Sequence, residues 1–383
     1  MLLNNKKKIL ILIDWFTPGF KAGGPIQSCV NICNAMHDSY NIYVLTTDTD
    51  HGETVPYQNI EANKWIYNHQ LGVQIYYACK KTLKAVQLLD EINFINADII
   101  YLNHLFSPYF VIYPLWLKYK KKIKGKMIVC PRGALYDSAL SLKRYKKRPL
   151  LYLFKWMRIH RQITFHATNE REKNAIEKYF PGSKIDVADN LPDTIQPPFK
   201  TCIKITGTLN CIFIARIVPI KNLLFLLQAL QQVKENIYLT IIGPVENETY
   251  WAECKTSIQK LPKNIMVNYE GAVENIQLQK ILQQQHLYIL PTTGENFGHS
   301  IFEAMLAGRP VLISNQTPWL NLQKANAGWD LPLDERKRFT SVIKEMALYN
   351  QEQFDALAKG AWAYANNFIG NPQLNLPYQQ LFA

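Results

Sequence analysis

The sequence predicts an α/β protein made of two doubly wound halves, each built around a mostly parallel sheet. At 383 residues the chain is too long for one ordinary hydrophobic core, so two domains of about 190 residues are expected. Short apolar strands alternate with helical segments along the whole chain, which favours parallel sheets. The alternation stops in the proline-rich, polar stretch Ala188–Lys200 and then restarts, which indicates a linker there.

Each half has its own set of predicted strands. Those of the first half are Lys7–Asp14, Asn41–Thr47, Val73–Cys79, Ala97–Asn103, Lys126–Cys130, Gln162–Ala167 and Lys184–Val187. Those of the second half are Cys211–Ile217, Tyr238–Gly243, Ile265–Tyr269, Leu287–Leu290 and Pro310–Ser314. Apolar residues at three-to-four spacing predict helices at Ile26–Met36 and Leu223–Val233, and Phe339–Ala383 is expected to form two helices with a proline-broken end.

Composition narrows the class of protein. A chain that is 48% hydrophobic and 19% charged is typical of a folded soluble protein. No apolar run reaches the roughly 18 residues of a membrane span, and the amino terminus is interpreted as a first strand without a signal-peptide cleavage pattern. The seven cysteines form no C-x-x-C pair, so neither disulfides nor a zinc site is expected, and a reducing cytoplasm fits best.

Positive charge is concentrated in one segment. The segment from Lys118 to Arg148 contains twelve Lys/Arg residues and one acidic residue, which accounts for +11 of the chain's net charge of +13. A local patch indicates a local partner: an anionic membrane, nucleic acid or a phosphate-bearing acceptor. The overlapping stretch Ser141–Arg161 interleaves basic and large apolar residues, which predicts either a helix in the bilayer interface or one whose apolar side packs on the sheet. No nucleic-acid recognition motif is present, so nucleic acid is not expected.

The stretch Leu287–Pro310 combines a strand, a glycine-bearing loop and a helix from Ser300 to Leu306. In an open α/β sheet such a junction binds ligands, and the amides of residues 296–300 are expected to favour an anion at the helix start. Two carboxylates, Glu295 and Glu303, lie eight residues apart in this stretch, so both can face one crevice.

Two cations precede the apolar helix Leu223–Val233. Arg216 and Lys221 are five residues apart, ahead of a helix amino terminus where the macrodipole disfavours positive charge. A bound diphosphate resolves this conflict, because the cations and the helix end then attract the same anion. Solvated surface cations are the alternative.

The block GENFGHSIFEAMLAGRPVL, with Glu295 and Glu303, resembles the signature of retaining, nucleotide-sugar-dependent glycosyltransferases of family 4 (glycosyl transferases group 1) of the polysaccharide-assembling type. The Arg216–Lys221 spacing is similar to the family's diphosphate clamp. The resemblance implies the GT-B fold, two Rossmann-like domains facing a central cleft. It places an acceptor-side domain at 1–195 with the basic segment 118–161, a nucleotide-sugar domain at 196–365, and a tail at 366–383 that crosses back to the first domain.

The resemblance also implies functional residues. The implied catalytic residues are Glu295, His104, Arg216 and Lys221. The implied donor site adds Gly23, Gly24, Gly243, Val273, Asn296, Phe297, Gly298, His299, Ser300 and Glu303, and the implied acceptor side has Arg132 and Gly133 in a Pro-Arg-Gly loop. Glu303 is expected to bind the ribose and Glu295 the donor sugar, without acting as a covalent nucleophile. From the residues alone, a structural histidine at 104, a plain turn at the glycines and a surface salt bridge at 132 stay open.

The function implied is transfer of a hexose-type sugar from a UDP- or GDP-sugar to a hydroxyl of a lipid-linked or surface-polysaccharide acceptor, with retention. No cofactor and no metal are expected, because Asp48 and Asp50, which have the spacing of an Asp-x-Asp motif, follow an amino-terminal strand. A nucleotide-sugar epimerase and a non-catalytic membrane-binding module are the alternatives. The expected location is the cytoplasm, peripherally on the inner face of the plasma membrane.

Overall fold

The structure is a computed structural model and describes residues 6–141, 144–193 and 198–383. The chain divides into two compact units, Met1–Thr194 with Pro372–Ala383 (unit 1), and Ile195–Asn371 (unit 2). The predicted boundary at 195 and 196, and residues 142 and 143 of the basic segment, lie outside the described residues.

Unit 1 is organised by an eight-stranded sheet. Its strands are β1 (Lys8–Leu12), β2 (Asn41–Thr47), β3 (Trp65–Asn68), β4 (Val73–Ala78), β5 (Ile99–Asn103), β6 (Lys126–Cys130), β7 (Thr164–Ala167) and β8 (Lys184–Val187). The spatial order is β3-β4-β2-β1-β5-β6-β7-β8, and all pairs are parallel except β3 with β4. The central strands β5 and β6 are mostly apolar and, apart from Lys126, buried, because helices cover both faces of the sheet.

The helices of unit 1 follow its strands along the chain. They are α1 (Gly24–Met36), α2 (Ala85–Ile95), α3 (Tyr113–Tyr119), α4 (Asp137–Ser141), α5 (Arg144–Trp156), α6 (Glu170–Tyr179) and α13 (Leu376–Leu381), with a π-helical turn at Pro108–Ile112 and a 3₁₀ turn at Ile159–Arg161. The last helix belongs to this unit because Tyr378, Leu381 and Phe382 are buried in its core. Lys126 Nζ also donates to Leu381 O at 2.8 Å.

Unit 2 repeats the plan with six parallel strands. They are β9 (Thr208–Ile214), β10 (Asn236–Ile242), β11 (Ile265–Gly271), β12 (Leu287–Leu290), β13 (Val311–Ser314) and β14 (Gly328–Leu331), in the order β11-β10-β9-β12-β13-β14. The helices are α7 (Leu223–Leu230), α8 (Glu248–Gln259), α9 (Asn275–Leu282), α10 (His299–Leu306), α11 (Arg336–Leu348) and α12 (Gln351–Ile369), with a 3₁₀ turn at Pro219–Lys221.

The predicted doubly wound architecture is confirmed in both units. The predicted strands all form, with ends that differ by at most three residues, whereas the helix predicted within Ser141–Arg161 is formed by Arg144–Trp156. The largest shift is at β9, which begins at Thr208 because it pairs with Asn236 at the start of β10. β9 also ends at Ile214 rather than Ile217, so Arg216 lies in the loop beyond the strand.

Two strands were not predicted. β3 is a four-residue edge strand with an exposed middle, so its apolar run is only three residues long, and it pairs antiparallel. β14 is a four-residue strand with Gly328 at its start, and a Cβ there would lie 2.0 Å from Val311 O on β13. Both strands depend on a partner for their extended conformation rather than on local sequence.

Candidate functional site

The site of unit 2 lies at the point where the sheet changes direction. The chain leaves β9 toward β10 and β11 on one side and returns to β12 and β13 on the other, so β9 and β12 flank the switch point. Ligands of open α/β sheets bind outside the carboxyl ends of the strands at such a point. The loops that follow these two strands, 215–222 and 291–298, carry Arg216, Lys221 and Glu295.

Hydrogen bonds hold these two loops together. Thr293 N donates to Ile220 O at 2.8 Å, which ties one loop to the other. The Ser300 hydroxyl donates to Ile214 O at 3.2 Å and lies 2.8 Å from the hydroxyl of Tyr288. The first turn of α10 is therefore fixed against the end of β9, beside the loop that carries Arg216.

The start of α10 has the geometry of an anion site. Gly298 precedes the helix with φ 77°, a left-handed conformation that favours glycine. A Cβ at this position would meet Ile301 Cδ1 at 2.7 Å. Glycine offers no capping side chain, and the helix dipole favours an anion at the start of α10.

Both predicted cations contact carboxylates within unit 2. Lys221 Nζ donates to Glu295 Oε1, and these side chains are only 15% and 13% exposed. Arg216 Nη1 donates to both oxygens of Glu246, at 3.1 and 2.8 Å. Glu295 is held further by its backbone N–H, which donates to Gln316 O at 3.0 Å. Cations and acids therefore lie together at the switch point, and Glu246 is a member that sequence reasoning missed.

Other predicted donor-site residues have structural roles in unit 2. Phe297 is buried against Trp319 and Phe302, with ring centroids 5.0 and 5.8 Å away, and its carbonyl oxygen accepts from Trp319 Nε1, so its side chain serves the core rather than a ligand. Gly243 has φ 138°, and a Cβ would lie 2.0 Å from Ala215 O, so glycine allows the close approach of the two loops. Val273 packs against the core at its edge.

The remaining predicted members are partly exposed and close to these groups. Asn296 and His299 flank Phe297 and Gly298 at the start of α10, and Glu303 lies on the same helix, about one turn from its start. Contact of these side chains with a nucleotide stays a prediction.

Unit 1 has its own switch point, between β1 and β5. His104 directly follows β5 and has φ 85°. Its Nδ1 accepts from Phe106 N at 3.2 Å, so the neutral ring carries its proton on Nε2. Gly23 and Gly24 lie at the start of α1, on the loop after β1, and both are exposed.

Asp14 is a residue of this switch point that the sequence did not reveal. It follows β1 and accepts from the Ser107 hydroxyl at 2.7 Å, across the gap between the two strand ends. Burial raises the pKa of Asp14, and the hydrogen bond from Ser107 opposes that rise. A carboxylate at a strand end was the available signal, but 93 residues separate it from its partner.

Arg132 and Gly133 form a locked loop in unit 1. The guanidinium of Arg132 donates to Asn103 Oδ1 at 2.8 Å, to Asn190 Oδ1 and to the hydroxyl of Tyr101 at 3.1 Å. The Gly133 amide donates to the buried carboxylate of Glu172. The Arg132 side chain thus serves the interior of unit 1 rather than a surface salt bridge, and contact of this loop with an acceptor stays a prediction.

The Asp48 and Asp50 carboxylates organise backbone in unit 1. Asp50 accepts from the amides of Phe20 and Lys21 at 2.9 and 3.1 Å, and Asp48 accepts from Lys80 N at 2.9 Å. Within residues 6–141, 144–193 and 198–383 no group of three or more His, Cys, Asp or Glu side chains is arranged to hold a metal ion.

The carboxyl-terminal part of the basic segment 118–161 contains α5, which has two distinct faces. Leu151 and Phe154 are buried in the core of unit 1, whereas Tyr145, Tyr152 and Trp156 are 71%, 72% and 81% exposed. Exposed cations accompany these aromatic rings: Lys146, Arg148, Lys155 and Arg158. The predicted packing of an apolar side against the core of unit 1 is therefore confirmed, and contact of the exposed face with a bilayer stays a prediction. In the described part of the chain no helix is long and apolar enough to cross a bilayer.

Comparison with known proteins gives a family match within unit 2 and a fold match over the chain. Residues 204–327 match the family model "Glycosyl transferases group 1". Comparison of the sequence with curated proteins finds no match. The chain resembles the structure of HepE from Anabaena in complex with UDP and glucose, with a TM-score of 0.69 and 16% identity over 98% of this chain and 99% of that one.

Two further structures are similar at low identity. Sucrose-phosphate synthase from Thermosynechococcus elongatus gives a TM-score of 0.67 and 14% identity over 98% of both chains. WaaG, a glycosyltransferase involved in lipopolysaccharide biosynthesis, gives 0.63 and 14% identity over 97% of this chain and 98% of that one. At such identities the likeness shows the fold, which is GT-B as predicted.

The fold and the domain match together define the class. Unit 2 contains a glycosyl transferases group 1 domain that carries Arg216, Lys221, Glu295 and Glu303, and the chain is a glycosyltransferase.

Proposed function

We propose that this glycosyltransferase moves a hexose-type sugar, with retention, from a UDP- or GDP-sugar to a hydroxyl of a lipid-linked or surface-polysaccharide acceptor. One observation carries the proposal: two cations and an uncapped helix start converge at the switch point of unit 2. A diphosphate matches this arrangement, because its oxygens accept from amides and cations together.

The leaving group determines what these residues do. When the bond between sugar and phosphate breaks, negative charge develops on the diphosphate, and Arg216, Lys221 and the amides of α10 stabilise it. These groups supply the positive charge that a metal provides in other enzymes, so we expect the reaction to proceed without a metal. UDP-bound structures of HepE, which shares the fold, support a uridine donor over a guanosine one.

The acids take the remaining parts of the donor. Glu303 accepts from the ribose hydroxyls, since a carboxylate has two oxygens for a vicinal diol. Glu295, which contacts Lys221, binds donor-sugar hydroxyls and partly offsets positive charge on the sugar in the transition state. The protonated Nε2 of His104 donates to a sugar hydroxyl. Transfer on one face of the sugar, with the leaving phosphate receiving the acceptor proton, gives retention.

The exposed face of α5 supports a membrane-associated acceptor. Its aromatic rings and cations suit the interface of an anionic bilayer, where each basic residue adds about 1 kcal/mol. We therefore propose peripheral attachment to the cytoplasmic face of the plasma membrane. All seven cysteines are free thiols, which suits that reducing compartment.

Ligand binding followed by product analysis tests the function. Thermal unfolding is measured with UDP, GDP and a panel of their sugars, because a ligand at 100 times its Kd stabilises by about 2.7 kcal/mol. The stabilising sugar is then incubated with and without a membrane extract. A glycoside formed only with the extract supports the proposal. An isomer formed without acceptor identifies an epimerase, and no response to any nucleotide sugar contradicts the proposal.

A further inference from the structure

Glu246 forms the second ion pair of the switch point, and no part of the proposed reaction uses it. Its carboxylate accepts from Arg216 Nη1 through both oxygens, at 3.1 and 2.8 Å. The Arg216 side chain is 43% exposed and that of Glu246 22%. The guanidinium that should meet the diphosphate is thus already engaged by a carboxylate.

The backbone fixes this encounter. Ile217, next to Arg216, donates its N–H to Pro244 O at 2.9 Å, and Ile217 forms an isolated parallel bridge with Val245. Each bridge residue is the chain neighbour of one member of the pair. The loops after β9 and β10 are therefore in register, and this register sets Glu246 opposite Arg216.

Stability does not account for the pair. An ion pair exposed to this degree contributes little to folding. Its effect on an incoming anion is larger, because a carboxylate a few ångströms from a diphosphate repels it and competes for the same N–H groups. Lys221 is engaged by Glu295 in the same way, so each cation of the site faces one acid.

We propose that Glu246 is a positioning residue that competes with the diphosphate for Arg216 and thereby weakens retention of the nucleoside diphosphate product. The inference rests on the proposed function. When the donor binds, Arg216 exchanges Glu246 for the diphosphate. After sugar transfer, the guanidinium pairs with Glu246 again. The product no longer binds through a sugar, so its affinity depends most on Arg216. Its release is therefore accelerated most by this exchange.

Calorimetric titration of the full chain with UDP and GDP tests the proposal. Glu246→Gln keeps the side-chain shape and removes the competing charge, so we expect about tenfold tighter binding of the cognate nucleoside diphosphate. Glu246→Asp keeps the charge and is expected to stay near wild type. Glu248→Gln is the matched control, because it removes the same charge two residues away from an exposed position, and we expect less than a twofold change.

Steady-state kinetics distinguishes this role from a scaffold role. With competition, Glu246→Gln lowers the KM for the donor and the inhibition constant of the product, while kcat stays equal or falls as release slows. Equal or weaker nucleotide binding by Glu246→Gln, with unchanged thermal unfolding, overturns the inference alone. A wild-type protein that binds neither nucleotide nor any nucleotide sugar overturns the proposed function, and this inference with it.

Discussion

Units 1 and 2 share one architecture but place different chemistry at their switch points. In unit 2 the loops after β9 and β12 bring together Arg216, Lys221 and two glutamates beside the start of α10. In unit 1 the loops after β1 and β5 bring together Asp14, Ser107 and His104, all suited to hydroxyl groups. On the proposed function, a repeated sheet thus fixes where a ligand binds, and a few loop residues decide whether the site suits a diphosphate or a hydroxyl.

The largest loss of activity is expected at the switch point of unit 2, when one of the cations Arg216 and Lys221 is removed. On the proposed function, Lys221→Ala removes a cation that stabilises the leaving diphosphate, so kcat/KM should fall by roughly 10²–10³-fold, as for loss of one transition-state donor. Product formation from the nucleotide sugar measures it. Lys260→Ala, an exposed cation of the same unit, is the control. Equal activity of the two variants would remove Lys221 from the mechanism.

The units are also expected to differ in membrane binding, because most of the net positive charge lies in unit 1, where α5 exposes several cations. Neutralising Lys146, Arg148 and Lys155 to Gln should weaken binding to anionic vesicles by about 100-fold, at about 1 kcal/mol for each cation. Sedimentation with phosphatidylglycerol vesicles measures the loss. The same change at Lys255, Lys260 and Lys263, exposed cations of unit 2, should have little effect. A similar loss for both triple variants would indicate net charge alone.

Substitution of His104 tests whether unit 1 acts on the sugar while the cations of unit 2 bind the diphosphate. On the proposed function, His104→Ala removes one hydrogen bond to the sugar, so kcat/KM should fall by about 10-fold, the effect of about 1.4 kcal/mol. The Kd for the free nucleoside diphosphate should not change, because Arg216 and Lys221 are intact. Calorimetry and initial rates on the same samples separate the two quantities. Loss of nucleotide affinity would contradict this assignment.

Buried histidines give the smallest effect and occur in both units. Burial lowers the pKa of His166 in unit 1 to about 3 and that of His286 in unit 2 to about 4. The unfolded chain binds these protons from about pH 6.5 downward while the folded chain does not. The two histidines therefore do not affect the free energy of unfolding above that pH. Below it, each histidine lowers the free energy of unfolding by about 1.4 kcal/mol for each pH unit, until the pH reaches the pKa of that histidine in the folded protein.

Urea unfolding at pH 7 and pH 5.5 measures this dependence. His286→Gln should reduce the loss of stability between the two pH values, whereas His69→Gln, at an exposed position, should leave it unchanged. The same loss in all three proteins would mean that His286 does not contribute to the pH dependence.

Local pattern predicted most of the fold but less of the site. The apolar strand, glycine loop and helix of Leu287–Pro310 are adjacent in sequence, so β12 and α10 were predictable. The pair Arg216–Glu246 joins residues 30 apart, and Asp14–Ser107 joins residues 93 apart. Neither pair leaves a local pattern, because each exists only once neighbouring strands bring the loops together.

By itself, the sequence determined the two doubly wound halves and the order of their elements, because apolar periodicity and turn residues act over short distances. It also indicated the cations of the loop before α7 and the acid of the loop after β12. The tertiary structure alone decided which charges meet. The register of β9 against β10 sets Glu246 opposite Arg216, and the pairing of β9 with β12 sets Glu295 beside Lys221. The physical reason is that an ion pair depends on distance in space, which parallel strand pairing imposes on residues far apart in the chain.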